Sequence, residues 1–395
     1  MKLIITFIVG LLQVSMVCYG QEKFDLISLE KERILNLASK YKNTKPITIT
    51  DFICDRSAGN SHDFYSEGDY WWPDPENPNG PYIRKDGLTN PANFTAHRKV
   101  MIQFSQISGA LASAYIITKN EDYVKQLAPH LQAWFINKKT KMNPNLMHGQ
   151  AIMGRVTGRG IGIIDTIHLM EVALAVKAVE NSKAISKKDI KTIKKWFESY
   201  LKWLTTHPFG IAERDNGNNH SVCWAMQVAV FAELTNDEEI KTYCRTMYKN
   251  DLLPNQMDKD GSFPKELSRT KPYGYSLFNL DVMSALCQML TTPEDNLFTY
   301  ITVDNKGMSL GLSFLYPYIK DKNKWPYKQD VMYWDEWPAK HPSLLFVGLA
   351  LNKDSYLELW KSLPSGMKKQ EVIRNMPIRF PLLWIKADNY VRVNR

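Results

Sequence analysis

Ser186-Lys-Lys-Asp-Ile-Lys-Thr-Ile-Lys-Lys-Trp-Phe-Glu-Ser-Tyr-Leu-Lys-Trp-Leu-Thr-Thr206 decides the fold class. Ile190, Ile193, Phe197, Tyr200, Leu201 and Leu204 recur at helical spacing and share one face, while the lysines fall on the other. Ser186 followed three positions on by Asp189 is a capping-box start. Similar patterns run through 24–42, 95–118, 121–137, 161–181, 220–234, 237–249, 276–290 and 307–320, with shorter ones near 342–351 and 354–363. The segments between are rich in Pro, Gly and Asn, and alternating patterns are scarce. Successive helices with no strands between them pack as antiparallel pairs. The expectation is an all-α chain whose helix pairs close into an (α/α) toroid with loops framing a cleft. We expect one domain over 21–395, with irregular segments at 50–94 and 321–340.

The first twenty residues read separately. Lys2 precedes the apolar run Leu3 to Val17, and Cys18-Tyr19-Gly20 closes it. That is a signal peptide over 1–20, so export across the inner membrane to the periplasm is expected. Lipid attachment at Cys18 is the less favoured alternative, because Val17 stands where a small residue is required. No later run is expected to span a bilayer. The net charge of +9 is dispersed, as in Lys187-Lys188 and Lys194-Lys195. It reads as solvated surface or as attraction to a polyanion, and no nucleic-acid module is recognisable. Cys54, Cys223, Cys244 and Cys287 have neither metal-ligand spacing nor a disulfide framework. Cys223 and Cys287 sit in apolar helical context, where a free buried thiol is expected. No cofactor, no metal and a monomer complete this reading.

Segment 55–94 is too long to be a plain connector, and its aromatics argue for order. Tyr65, Tyr70, Trp71, Trp72 and Tyr82 either stack on pyranose rings or pin the loop to the body. Trp334 and Trp337 form a second such cluster.

Two segments carry chemistry. Asn218-Asn219-His220 offers amides and an imidazole; Arg269-Thr-Lys-Pro-Tyr-Gly-Tyr275-Ser-Leu-Phe-Asn279 offers a cation and phenols. An amide and a guanidinium can damp a carboxylate's charge so that the neighbouring C–H becomes acidic. A phenol or imidazole can then move protons while a sugar oxygen leaves. Plainer readings stand beside these. Asn218 or Asn219 could be a helix N-cap, Arg269 could pair with Glu266, and Tyr275 could be a core aromatic. His148, Arg155 and Arg159 lie near Gly158-Arg-Gly-Ile-Gly162. The arginines could grip substrate carboxylates bidentately or form ion pairs with Asp165. The glycines are no nucleotide loop, since no strand precedes them. A glycoside hydrolase would instead need two carboxylates, from Asp215, Glu266, Asp335 and Glu336. A non-catalytic glycan-binding protein would keep the aromatics alone.

Tyr70-Trp71-Trp72-Pro73-Asp74-Pro75 and Gly80-Pro81-Tyr82-Ile83-Arg84-Lys85-Asp86-Gly87 resemble the N-terminal signature of the alginate lyase superfamily. Gly158-Arg159-Gly160-Ile161-Gly162-Ile163-Ile164-Asp165, Asn218-Asn219-His220 and the Arg269–Asn279 segment follow in that family's order. The resemblance implies an (α/α) toroid, metal-independent β-elimination and a polyuronate substrate. Asn219 and His220 match the family's pair, and Arg269 its arginine. Aligning on Phe278-Asn279 selects Tyr275 over Tyr273 as the catalytic tyrosine, leaving Tyr273 for substrate binding. Ser221 stands where the family commonly has glycine, which marks a different subfamily and polymer. The implied mechanism has Asn219, Arg269 and His220 holding the carboxylate. Tyr275, its pKa lowered by nearby cations, takes the C5 proton. In mannuronate or glucuronate that proton and the C4 oxygen share a face, so one tyrosine serves both. In guluronate they are opposed, and His220 would be base with Tyr275 as acid. The expected polymer is mannuronate-rich alginate, with glucuronan as the alternative.

Overall fold

The Ile190–Leu204 stripe is buried as its spacing requires, and the Ser186 side chain accepts the Asp189 amide at 3.0 Å to start the helix. A computed structural model describes residues 24–386, 388 and 390–392, so the expected leader 1–20, with Cys18, lies outside the described residues. In chain order the first helices are α1 (Leu26–Tyr41), α2 (Ala96–Thr118), α3 (Glu121–Phe135), α4 (Leu169–Val179), α5 (Lys187–Thr206), α6 (Pro208–Arg214), α7 (Asn219–Thr235) and α8 (Glu238–Met247). There follow α9 (Leu253–Gln256), α10 (Pro264–Leu267), α11 (Pro272–Leu290), α12 (Met308–Lys320), α13 (Pro342–Ala350), α14 (Asp354–Ser362), α15 (Gln370–Arg374) and α16 (Pro381–Trp384).

α2, α4, α7, α11 and α13 each touch the next and make an inner ring, while α1, α3, α5, α8, α12 and α14 pack on it from outside. Sequence sets the division. α7 is apolar on every side, and from Asn219 to Leu234 only His220 and Glu233 escape burial; such a helix must be enclosed. α5 is striped and offers only one face. The (α/α) toroid is therefore as expected. α2 departs from expectation in one respect, being long and apolar enough to cross a membrane. Yet 72% of its most apolar window is buried inside the ring, so its hydropathy is that of a core helix.

Strand pairing among the described residues is confined to three short ribbons and one isolated bridge between Ile152 and Val156. β1 (Phe24–Asp25) meets β6 (Val391–Arg392) antiparallel, joining the two ends of the described chain. β2 (Tyr65–Glu67) runs parallel to β5 (His148–Ala151), and β3 (Trp71–Trp72) lies antiparallel to β4 (Ile83–Arg84). These ribbons order segment 55–94. Segment 321–340 is irregular apart from two single 3₁₀ turns, Lys322–Lys324 and Trp334–Glu336.

Two boundaries differ from the sequence expectation and both shape the site. The helix read over 161–181 begins only at Leu169, because Gly160–Thr166 is a 3₁₀ turn pressed onto β5. A Cβ at Gly162 would stand 2.4 Å from the Gly149 carbonyl carbon, so glycine is needed for that approach. α11 begins at Pro272 rather than 276. Proline suits the first turn, whose N–H groups lack helical partners, and Asp330 accepts the Tyr273 and Gly274 amides at 2.9 Å each. All four described cysteines are free, with Cys223, Cys244 and Cys287 buried.

Candidate active site

The N-terminal turns of α7 and α11 open onto one cavity of about 360 Å³. At α7, Asn218 is the N-cap and its Oδ1 accepts the His220 amide at 3.0 Å. The cap leaves Asn219 and His220 in the first turn with their side chains committed to the cavity wall. Glu266 accepts both the Asn219 backbone N–H at 2.9 Å and its Nδ2 at 2.8 Å. Burial pushes the Glu266 carboxyl up, and the two Asn219 bonds only partly offset this. His220 Nδ1 lies 2.6 Å from Oε1 of the fully buried Glu213 on α6. A carboxylate there holds the proton on Nδ1 and leaves Nε2 as the acceptor.

At α11, the Tyr275 hydroxyl shares a 2.5 Å hydrogen bond with the Tyr70 hydroxyl, which arrives from segment 55–94. Arg269 Nη2 donates to the same Tyr275 oxygen at 3.5 Å, and its guanidinium carbon lies 4.6 Å from the ring centroid. Lys271 Nζ sits 5.1 Å from the Tyr70 ring and 5.3 Å from the Tyr275 ring. The cations expected around Tyr275 are thus present, but the expected lowering of its pKa is not. Burial pushes the phenol well above its ordinary range, Tyr70 adds to this, and Lys271 and Arg269 pull back without reversing it. Arg269 does not pair with Glu266. It forks onto Asp86 at 2.9 and 3.2 Å. Burial alone would raise the Asp86 carboxyl; the hydrogen bonds and charge of Arg269, with help from Arg84 and Thr270, bring it down to about 2.

Of the residues singled out from sequence, Tyr70, Trp71, Arg159, Asn219, His220, Arg269 and Tyr275 line the cavity. Arg159 is held by Gln150, donating to its backbone oxygen and to Oε1 at 3.0 Å each. Gln150 itself sits at φ 49°, a left-handed conformation that costs a non-glycine residue on the order of 1 kcal/mol or more.

The other candidates are elsewhere. Tyr65 is buried with its hydroxyl on Glu67 at 2.9 Å, and Tyr273 is buried with its hydroxyl on the Tyr318 carbonyl at 3.0 Å. Both are core residues, not stacking platforms. Trp72 donates to the Leu88 carbonyl under Lys85, and Arg155 donates to the Tyr82 carbonyl while covering Trp71. His148 stands on β5 outside the lining. Trp334 and Trp337 pack around Tyr273 and His341 and pin the 321–340 segment. Sequence reading missed Glu213, Gln150, Arg84 and Arg374. Glu213 carried a weak signal as a carboxylate on a short amphipathic turn just before the Asn-His pair; Arg374 carried none, lying far beyond the last motif.

The lining's one carboxylate, Asp69, is tied to Arg98 and Arg374 at 2.7 Å each. Asp215 pairs with Arg214 at the surface, so no two free carboxylates flank the cavity as a glycoside hydrolase requires. Among the described residues no cluster of three or more His, Cys, Asp or Glu has the disposition to hold a metal ion.

The alginate lyase family model matches residues 53–325. The fold is similar to that of an alginate lyase from Bacteroides ovatus, at 31% identity over 88% of this chain and 93% of that one, with a TM-score of 0.78. It is also similar to a histidine-to-alanine variant of alginate lyase A1-III complexed with tetrasaccharide, at 14% identity over 92% and 95% of the chains and a TM-score of 0.59. Alginate lyase A1-III from Sphingomonas species A1 aligns at 15% identity over 80% and 84%, with a TM-score of 0.50. The last two bear on the fold alone. A search of curated proteins gives no match.

Proposed function

Because the chain belongs to the alginate lyase family, it is a polysaccharide lyase, and we propose that it cleaves mannuronate-rich alginate by β-elimination in the cavity between α7 and α11. The observation that carries this reading is the Tyr275 hydroxyl, set against the Tyr70 hydroxyl and Arg269 Nη2 in a buried pocket. The uronate carboxylate sits beside the C5–H, and the Asn219 amide with Arg269 damps its charge as C5 gives up its proton. Arg159 and Arg374 supply charge for neighbouring carboxylates. In mannuronate the C5 proton and the C4 oxygen share a face. The Tyr275 oxygen accepts the C5 proton as its own proton leaves for the glycosidic oxygen. The C5–H electrons form the C4–C5 double bond and the C4–O bond breaks. A phenol that stays protonated in the free enzyme suits this exchange, while Lys271, Arg269 and the Tyr70 hydroxyl stabilise negative charge building on its oxygen.

The 2.6 Å contact between His220 and Glu213 favours a second reading for guluronate, where the groups are opposed. There His220 Nε2 takes the proton and Tyr275 acts as acid.

Digests of purified polymannuronate, polyguluronate and glucuronan, followed by ultraviolet absorbance of the conjugated product and mass spectrometry, test both. We expect unsaturated oligosaccharides, formed fastest from polymannuronate. Saturated, water-added products would sink the elimination mechanism, and faster polyguluronate cleavage would hand the base role to His220. The leader-like N-terminus supports a periplasmic place of action, which cell fractionation checks.

A further inference from the structure

A second cavity, about 400 Å³, lies on the other side of the segment 373–379. Arg374 and Asn375 line the catalytic cavity, whereas Ile373, Met376, Ile378 and Arg379 line this one, so one stretch of chain walls both. The opposite wall comes from α1, α13 and α14. A volume of this size suits a small ligand.

Its lining is unusual in charge. Arg33, Lys40, Lys340 and Arg379 face a single carboxylate, Glu30. Arg33 and Lys340 both reach Glu30, the latter at 3.6 Å, so two of the four cations share one anion. Lys340 Nζ also lies 4.3 Å from the Trp360 ring centroid. Arg379 is half-buried, with its side chain 8% exposed, and its Nη2 donates to Ser105 Oγ at 3.1 Å. Its Nη1 has no partner, and its Nε has only Glu171 at 3.9 Å. A buried donor left unmet costs about 1–3 kcal/mol. The unmet guanidinium atoms lie behind the cavity surface, so the site itself combines surplus positive charge with aromatic residues in its lining.

We propose that this cavity is a second, non-catalytic site for a single uronate sugar. Its carboxylate meets Lys340 and the Arg33–Arg379 side, and its apolar ring face lies along the aromatic wall. The choice of a uronate rests on the function proposed above, whose substrate is built from such sugars; the anion-plus-ring chemistry rests on the cavity itself. A sugar bound here abuts the segment that carries Arg374 and Asn375 into the catalytic cavity.

Hydrogen–deuterium exchange of the whole protein with D-mannuronate, D-glucuronate and neutral methyl mannoside separates the outcomes. D-mannuronate should slow exchange in peptides covering α1 and 364–379, separately from any change at 216–220 and 269–275. Lys340→Met should weaken that first protection by ~10-fold or more and leave the second in place. Arg33→Met, at a partly exposed position, provides a further variant in case Lys340→Met unfolds, and should weaken the same protection. Protection confined to the catalytic peptides, equal protection by methyl mannoside, or no effect of either variant would overturn the proposal. Protection of α1 by glucuronate but not mannuronate would keep the second site while sinking the alginate reading.

Discussion

Tyr273 and Tyr275 stand two residues apart and meet opposite fates. Two steps along a helix turn the side chain just past half-way round, so Tyr273 enters the core against Trp325 and Trp334 while Tyr275 reaches the cavity. Tyr275→Phe removes one oxygen and keeps the ring. Turnover should fall by ~10²–10⁴-fold with little change in substrate binding. Tyr273→Phe loses the bond to the Tyr318 carbonyl, which should cost about 1 kcal/mol of stability and spare turnover. Steady-state kinetics and thermal melts of both variants check this, and the opposite ranking would move the role to Tyr273. The Asn-His pair, Arg269 and Tyr275 were legible because each stands in a short motif. The Tyr70 hydroxyl was not, because its partner lies 205 positions away and the local string suggests only an aromatic surface. The sign of the Tyr275 shift was missed for a related reason. Flanking cations can be read from sequence, but the burial that outweighs them comes from the whole fold.

α11 shows how an element is fixed from outside itself. Its N-cap residue, Lys271, makes no side-chain cap, and the distant Asp330 takes its first free amides instead. Burial raises the Asp330 carboxyl, against those two amide bonds and the charges of Lys271 and Lys322, to about 6. Unfolded, the group would release its proton near 3.8, so between 3.8 and about 6 the native state binds more protons than the unfolded one. The contribution is fully present below 3.8 and is lost as pH rises through about 6. Asp330→Asn should remove a slope of up to about 1.4 kcal/mol per pH unit in that window. Urea midpoints measured across the window for both proteins would show it, and parallel curves would refute it. Periodicity located most helices to within a turn. It failed at 160–166, where tight glycine packing against β5 overrides a helix-like pattern, and it did not find α6, too short to show a period.

The ring as a whole was legible, since helices in unbroken succession have few ways to bury their apolar faces. What binds its ends was not. Arg374, after the last recognisable motif, reaches Asp69 at 2.7 Å, Asp165 at 3.7 Å and Glu371 at 2.9 Å, while Arg98 holds Asp69 at 2.7 Å and Asp165 at 3.2 Å. Arg374→Ala strands buried carboxylates and should cost ~3–5 kcal/mol, a loss visible in denaturant unfolding. A change under about 1 kcal/mol would show that Arg98 alone suffices. The Arg269–Asp86 contact has a further consequence. It makes segment 55–94 a tethered competitor of the substrate carboxylate, present at high effective concentration because it is covalently attached. A fragment carrying one carboxylate contests only the Arg269–Asp86 contact. A longer chain engages Arg159, Arg374 and Arg269 together and displaces the tether by avidity. Cleavage rate per bond should therefore climb steeply over the shortest oligomers and then level off, and a series of size-fractionated oligomannuronates would trace that threshold.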